Sequence, residues 1–299
     1  MPLDHRVLAS AIQVFSAGSF EGSASIVSVP TEAGRSWPYL VTAHHVSQAV
    51  ELTVRVPDPL EPAKLSPPVE VPTWWQPFQG VDLAITPFPW WKVERYQATP
   101  LADFIPEGRV PALGAPVYYV GVFGPWGVPM ARAGTIAALD VTVKTQGGYE
   151  FPADIVDCRS YRGFSGSAVF GTLAYAELRP TPNPPAAALA QGHDEPPPLG
   201  RISHAASFAG VFTAHLSDED DDRDIPASRY GMGIMVPCDY VREALMTETL
   251  KDQRERAARE MADREAQEGA PIEEALMASE FDRFEDLAKQ LVNTPKPQS

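Results

Sequence analysis

Gly163-Phe164-Ser165-Gly166-Ser167-Ala168-Val169-Phe170 sets a serine between two glycines and runs straight into an apolar stretch. Glycine lets the backbone bend sharply and allows a second chain to approach closely. The stretch therefore predicts a tight turn feeding a strand, with Ser165 on the turn. The amides of Gly163 and Ser165 lie on the same bend, where two N–H groups can point at one carbonyl oxygen and stabilise the charge that develops on it. Alone, a serine between glycines is also ordinary turn chemistry. Its weight comes from what precedes it.

Upstream, Tyr39-Leu40-Val41-Thr42-Ala43-His44-His45-Val46 carries an apolar strand directly into two histidines. A base needs its ring held by a rigid element, although a histidine after a strand also serves as a plain structural residue. Between the two stretches, Val81-Asp82-Leu83-Ala84-Ile85 puts a carboxylate at the mouth of an apolar strand. A carboxylate in such a place requires a partner, and an imidazole N–H suits it, because the carboxylate fixes the tautomer and stabilises the imidazolium. The other reading of Asp82 is a turn residue at a strand end. Order adds what each stretch lacks: Asp82 follows His45, and Ser165 follows Asp82. His, then Asp, then Ser is the chain order of chymotrypsin-type triads, as against Ser…Asp…His in α/β-hydrolases.

Working outward, the chain is a series of short strand-like runs separated by Gly and Pro: 11–15, 24–29, 39–42, 52–56, 83–86, 117–122, 133–145, 168–170, 208–213 and 233–236. Their content of Val, Ile, Tyr, Phe and Thr, with turn residues between, predicts an all-β sandwich or barrel. Pro57–Pro77 and Leu178–Leu199 are proline-rich, which excludes continuous helix and central strands there; the second reads as an extended, mobile loop. From Pro237 the composition changes. Asp239 is placed to cap one long helix running to Gly269, charged nearly all round beyond Leu250 and therefore expected to be solvent-bridging or held by i,i+4 pairs. A second helix is expected from about Ile272, with Met277, Phe281, Phe284, Ala288 and Leu291 on one face.

The three stretches together resemble the trypsin-like serine peptidases, most closely the bacterial, disulfide-poor, HtrA-like branch without a PDZ domain. VTAHHV is similar to that family's T-A-x-H segment, VDLAI to its D-[IL]-A segment, and GFSGSAVF to its G-[DN]-S-G-[GS]-P-V segment. Phe208–Thr213 resembles its substrate-binding strand and Tyr230–Pro237 its last barrel strand. The resemblance covers about residues 8 to 250 in separated blocks. It implies a chymotrypsin-like double β-barrel with a C-terminal helical extension. The catalytic residues would be His45, Asp82 and Ser165, with an oxyanion hole at Gly163 and Ser165, and the substrate a protein or peptide. No metal or organic cofactor is implied. It further implies a primary pocket bounded by Arg159 on one side and Thr213, Ala214 and His215 on the other. A buried Arg159 would favour an acidic side chain; the other reading points Arg159 at solvent or at Asp157. Phe164 stands where the family often has Asp or Asn, and where that Asp pairs with a new N-terminus in zymogen-activated members, so activation by N-terminal cleavage is not expected.

The expected division is 1–246 for the protease domain, with a Pro-rich insertion at about 172–205, and 247–299 for a charged helical extension. Its apolar face (Phe281, Phe284, Leu287, Leu291) is covered either by the barrel or by a protein partner or second copy. The net charge of −15 opposes binding to nucleic acid and to anionic membranes, and no run of apolar residues is long enough for a transmembrane helix. Asp218–Asp222 reads as a solvated loop, because EF-hand spacing and its glycine are missing. Only Cys158 and Cys238 are present, and the start lacks a secretory pattern. Reduced thiols in a cytoplasmic protein are the expectation. Against the peptidase stand a catalytically inactive protease-fold scaffold, and an α/β-hydrolase esterase. Ser167, where G-x-S-x-G requires glycine, and the lack of alternating helices speak against the latter.

Overall fold

The computed structural model describes residues 5–71, 74–89, 92–93, 95–123, 127–144, 150–158, 163–171, 175–177, 207–215 and 231–268. A single helical turn, α1 (His5–Leu8), leads into the first sheet. Its strands are β1 (Ile12–Ser16), β2 (Ser19–Pro30), β3 (Ser36–Thr42), β4 (Leu52–Arg55), β5 (Val69–Glu70), β6 (Ala84–Pro87) and β7 (Thr99–Pro100). They lie in the order β5-β4-β1-β2-β3-β6, with β7 beside β2. A helical turn, α2 (His44–Ser47), follows β3. The β1–β2 hairpin closes through Ala17 and Gly18, both at positive φ, the backbone that suits a two-residue turn between right-twisted strands.

The second half contributes β8 (Arg109–Pro111), β9 (Pro116–Phe123), β10 (Val128–Lys144), β11 (Glu150–Cys158), β12 (Ala168–Gly171), β13 (Tyr175–Glu177), β14 (Ser207–His215) and β15 (Met232–Pro237). Six of these close a barrel in the order β10-β11-β15-β14-β12-β9, and β8 pairs with β13 in a separate two-stranded sheet. Closure pairs each of the six barrel strands with a neighbour on both sides over part of its length. The whole is an all-β, chymotrypsin-like double barrel, one barrel closed and the other half-formed, with its longer helices at the C-terminus: α3 (Cys238–Leu245) and α4 (Glu248–Glu268).

Strands β2 and β3 are buried on both faces, which is why they read as apolar runs rather than as alternations. Ala24, Ile26 and Leu40 join Val14, Val54 and Phe88 in one core. Val27, Val29, Tyr39 and Val41 join Tyr119, Val120, Phe164, Phe208 and Phe212 in the other. The two halves are thus fused through the first sheet's central strands.

Several expectations are corrected. Strand β11 was not anticipated, because Pro152 and acids interrupt its run; yet Phe151, Ala153 and Ile155 face inward at period two, and Asp154 is buried with its Oδ1 accepting from the Asp140 amide at 3.1 Å. The C-terminal helix is two helices. Its first cap is Pro237, with no side-chain capping bond, and Asp239 instead pairs with Arg242. A break at Met246 and Thr247, whose amides turn back onto Arg242, Glu243 and Ala244, starts α4. Nor is α4 a solvated rod: Leu250, Arg254, Ala257, Ala258 and Met261 are buried on one face. Arg254 Nη1 donates to the Leu245 carbonyl at 2.5 Å and its guanidinium meets the Tyr39 hydroxyl. Glu255 accepts from the Glu32 amide at 2.9 Å. The cationic head of Arg254 is anchored on the Leu245 and Tyr39 oxygens, with Nη2 3.5 Å from Met246 Sδ and Nε without a hydrogen-bond partner among the described residues, while its stem serves as apolar packing surface. The second predicted helix with its apolar face, the acidic run 218–222 and most of the Pro-rich insertion lie outside the described residues.

Candidate active site

Strand β3 delivers Thr42 to the seam between the barrels; Ala43 stays extended and α2 begins at once. Buried Val46 pins that turn and leaves His45 facing outward, its side chain 48% exposed. Asp82 meets it from the bend just before β6, following Gly80 at positive φ and flanked by buried Val81 and Leu83. One carboxylate oxygen of Asp82 accepts from the His45 backbone amide at 2.9 Å, and the other lies 2.8 Å from His45 Nδ1. The carboxylate thus holds both the main chain and the ring of one residue. With Nδ1 donating to Asp82, Nε2 is left with its lone pair outward, the tautomer a base requires. Burial pushes the Asp82 carboxyl up, but its hydrogen bonds with His45 and that residue's charge outweigh this and hold it below the usual carboxylate range. His44 turns to its own helical turn, 3.4 Å from Ser47 Oγ and 3.0 Å from Gln48 Nε2. Burial lowers its pKa against the pull of Asp82.

The turn 163–167 is built as its glycines suggest. Gly163 and Gly166 both have positive φ, and a Cβ on Gly166 would stand 1.8 Å from the Ser23 carbonyl oxygen and 2.2 Å from Thr42 Oγ1. No other residue type fits there. Phe164 fills the core in place of a charged partner: it is fully buried and edge-on to Tyr119 at 5.3 Å.

One residue that the sequence did not single out fastens this turn to the rest of the site. Ser23, fully buried in β2, donates its amide to the Ser165 carbonyl at 2.8 Å and its hydroxyl to the Gly163 carbonyl at 2.8 Å. The same hydroxyl accepts from the Val122 amide of β9, and the Ser23 carbonyl accepts from Thr42 Oγ1 at 2.7 Å. Beside it, a Cβ on Gly22 would meet Val46 at 2.8 Å and the Ser165 carbonyl at 2.9 Å. The residue next to His45 and the backbone of Ser165 therefore face each other across Gly22. A buried serine or a strand glycine carries no distinctive sequence signal, which is why neither stood out.

Of the sequence-derived residues, the fold brings His45 and Asp82 into direct contact and seats the Ser165 turn against the same seam. Ser165 is half-buried, and among the described residues its hydroxyl makes no hydrogen bond to His45. Nor do the Gly163 and Ser165 amides donate to another described group. Thr213 is buried on β14 with its hydroxyl 3.5 Å from the Ile234 carbonyl; Ala214 and His215 follow it along the strand. Arg159 lies outside the described residues. Cys158 and Cys238 are free, buried thiols, raised by burial to about 11 and about 12, so neither is a ready nucleophile. Among the described residues no group of three His, Cys, Asp or Glu is arranged to hold a metal, and no helix is long and apolar enough to cross a membrane.

In sequence, no protein-family model and no curated protein matches the chain. Among solved structures, the protease domain of MamO from Magnetospirillum magneticum in its apo form matches at a TM-score of 0.52 and 16% identity, over 82% of this chain and 100% of that one. Rv3671c from M. tuberculosis H37Rv, in an inactive mutant form, matches at 0.47 and 14%, over 80% and 86%. Deg5 matches at 0.47 and 13%, over 80% and 88%. The likeness is one of fold.

Proposed function

We propose that the chain is a serine endopeptidase that hydrolyses peptide bonds through an acyl-enzyme, with Ser165 as nucleophile, His45 as general base and acid, and Asp82 as the group that orients His45. The observation that carries this reading is the two-point grip of Asp82 on His45, at a seam where Ser23 ties the Ser165 turn. A carboxylate spent on one ring and its own backbone amide is arranged for proton transfer rather than for surface pairing. The base is outward, partly exposed, and in the tautomer that accepts a proton.

In this mechanism Ser165 Oγ attacks the scissile carbonyl carbon while its proton passes to His45 Nε2. The oxyanion is received by the amides of Gly163 and Ser165. His45 then gives its proton to the leaving amine as the C–N bond breaks, and an ester to Ser165 remains. Water attacks that ester, its proton goes to His45, and the C–O bond breaks to restore the serine. The protease-fold neighbours favour this class of chemistry without assigning it to these residues.

A second reading, a protease-fold binding module without catalysis, is favoured by one observation, the lack of a hydrogen bond between Ser165 and His45. Digestion of a denatured protein separates the two. The wild type is expected to release new N-termini and Ser165→Ala to release none. A rate unchanged by Ser165→Ala, or no cleavage by folded wild type, contradicts the endopeptidase.

A further inference from the structure

Resting on the endopeptidase reading, we propose that Phe212 sets the substrate class: its ring fills the space that would receive the side chain on the acyl side of the scissile bond, so the enzyme cuts after small residues.

The two flanks of Ser165 are distinguished by His45. The leaving amine takes its proton from His45, so it must lie on the flank where Gly22 meets Val46 and the Ser165 carbonyl. The acyl part then lies on the opposite flank, along β14. There the Gly166 amide donates to the Phe212 carbonyl at 2.7 Å, and the Phe212 amide donates to the Ser167 carbonyl at 2.9 Å. Pairing of β14 with β12 reaches only from Gly171 and Ser207 to Ala168 and Val211. Ala214 and His215 continue past the turn paired with β15 alone among the described residues, so the stretch presents one side along which an extended peptide can lie.

The interior behind that edge is taken by an aromatic ring. Phe212 is 1% exposed. Its ring stacks on Tyr119 at 5.3 Å and an interplanar angle of 16°, and Tyr119 in turn meets Phe164, the residue before Ser165. On the other side the ring lies across Gly233 of β15. A Cβ there would stand 2.2 Å from Phe212 Cε2 and 3.2 Å from Cys158 Sγ. The glycine makes room for the ring, which lies over the paired β14 and β15 on a residue whose backbone is bonded to the turn of the candidate nucleophile. A substrate methyl or hydroxymethyl group can rest on such a surface, whereas an isobutyl or benzyl group has to displace Phe212 from a stacked, fully packed position. The register slip of β14 against β15 between Phe212 and Ala214 is the local distortion that lets the ring turn inward.

The test pairs a fluorophosphonate probe with cleavage-site mapping on a library of natural peptides, using wild type, Phe212→Val and, to retain bulk if the valine form folds poorly, Phe212→Leu. Labelling reports whether each form has a working nucleophile, independently of side-chain preference. The wild type is expected to label and to cut after Gly, Ala and Ser. Cuts after Phe and Tyr should rise about 10-fold or more in Phe212→Val, and cuts after Leu and Met in Phe212→Leu. A wild type that labels but shows no enrichment of small residues, or a labelled variant whose preference does not move, overturns the role of Phe212. A folded wild type that does not label overturns the endopeptidase reading, and this inference with it.

Discussion

Single residues in the site divide into those that act by charge and those that act by size. Ser23 and Gly166 belong to the second kind, because the turn fits only where β2 offers a small hydroxyl and the turn itself has a bare Cα against it. Ser167 is an exception. Its hydroxyl is fully buried with no hydrogen-bond partner among the described residues, and it presses toward Gly121, where a Cβ would stand 1.9 Å away. A buried, unpaired hydroxyl costs about 1–3 kcal/mol. Ser167→Ala is therefore expected to leave the protein as stable or more stable by up to about 2 kcal/mol in denaturant unfolding; a loss of stability would mean that the hydroxyl has a partner. The triad candidates were legible because their residue types are rare in that order. Ser23 and Phe212 were not, because burial and ring placement depend on which strands become neighbours.

Among elements, strands with β-branched runs were readable and those with mixed roles were not. The run at 133–145 anticipates only part of β10 (Val128–Lys144), whose first residues, Val-Pro-Met-Ala-Arg, carry a proline and a charge. Strand β11 was hidden by Pro152 and Asp154. The opposite failure befell α4, where a high charge content masked a docking face made of two alanines, Leu250, Met261 and the stem of Arg254. Because Arg254 caps the end of α3 at Leu245 and touches Tyr39 of β3, α4 is part of the folded unit. Arg254→Ala is expected to cost about 2–4 kcal/mol, since it strands a buried carbonyl and a buried phenol. Thermal unfolding measures this, and a change below about 0.5 kcal/mol would mean a surface helix.

At the scale of the molecule, two carboxylates pull stability in opposite directions with pH. Asp154 is raised by burial, and by the like charges of Asp140 and Asp239, from 3.8 to about 6. Its neutral form is favoured in the fold, so its contribution is full below its unfolded pKa and is lost as pH rises through about 6. Asp82 is lowered, so its contribution is present above its unfolded pKa and is lost as pH falls through its folded value. Asp154→Asn, which keeps an acceptor for the Asp140 amide, is expected to be more stable than wild type at pH 8 by about 1–3 kcal/mol, with little difference near pH 4. Equal stabilities at both pH values would remove the idea of a neutral buried acid. The all-β class was legible from the spacing of short strands, and the double barrel only through the family resemblance that the three motif stretches carry. The fusion of the two cores through β2 and β3 was not, since only the folded chain reveals that both faces of these strands are covered.

The claim on which the mechanism stands is that residues from three separate strand ends act as one unit. Intact-mass measurement after fluorophosphonate treatment tests it most directly, comparing wild type with Ser165→Ala, His45→Ala and Asp82→Asn. The expected result is one adduct per wild-type chain, mapped to Ser165, none in Ser165→Ala, and labelling slowed by about 10³-fold or more in the other two. An adduct on another residue, or a wild-type rate retained in His45→Ala, would contradict the triad.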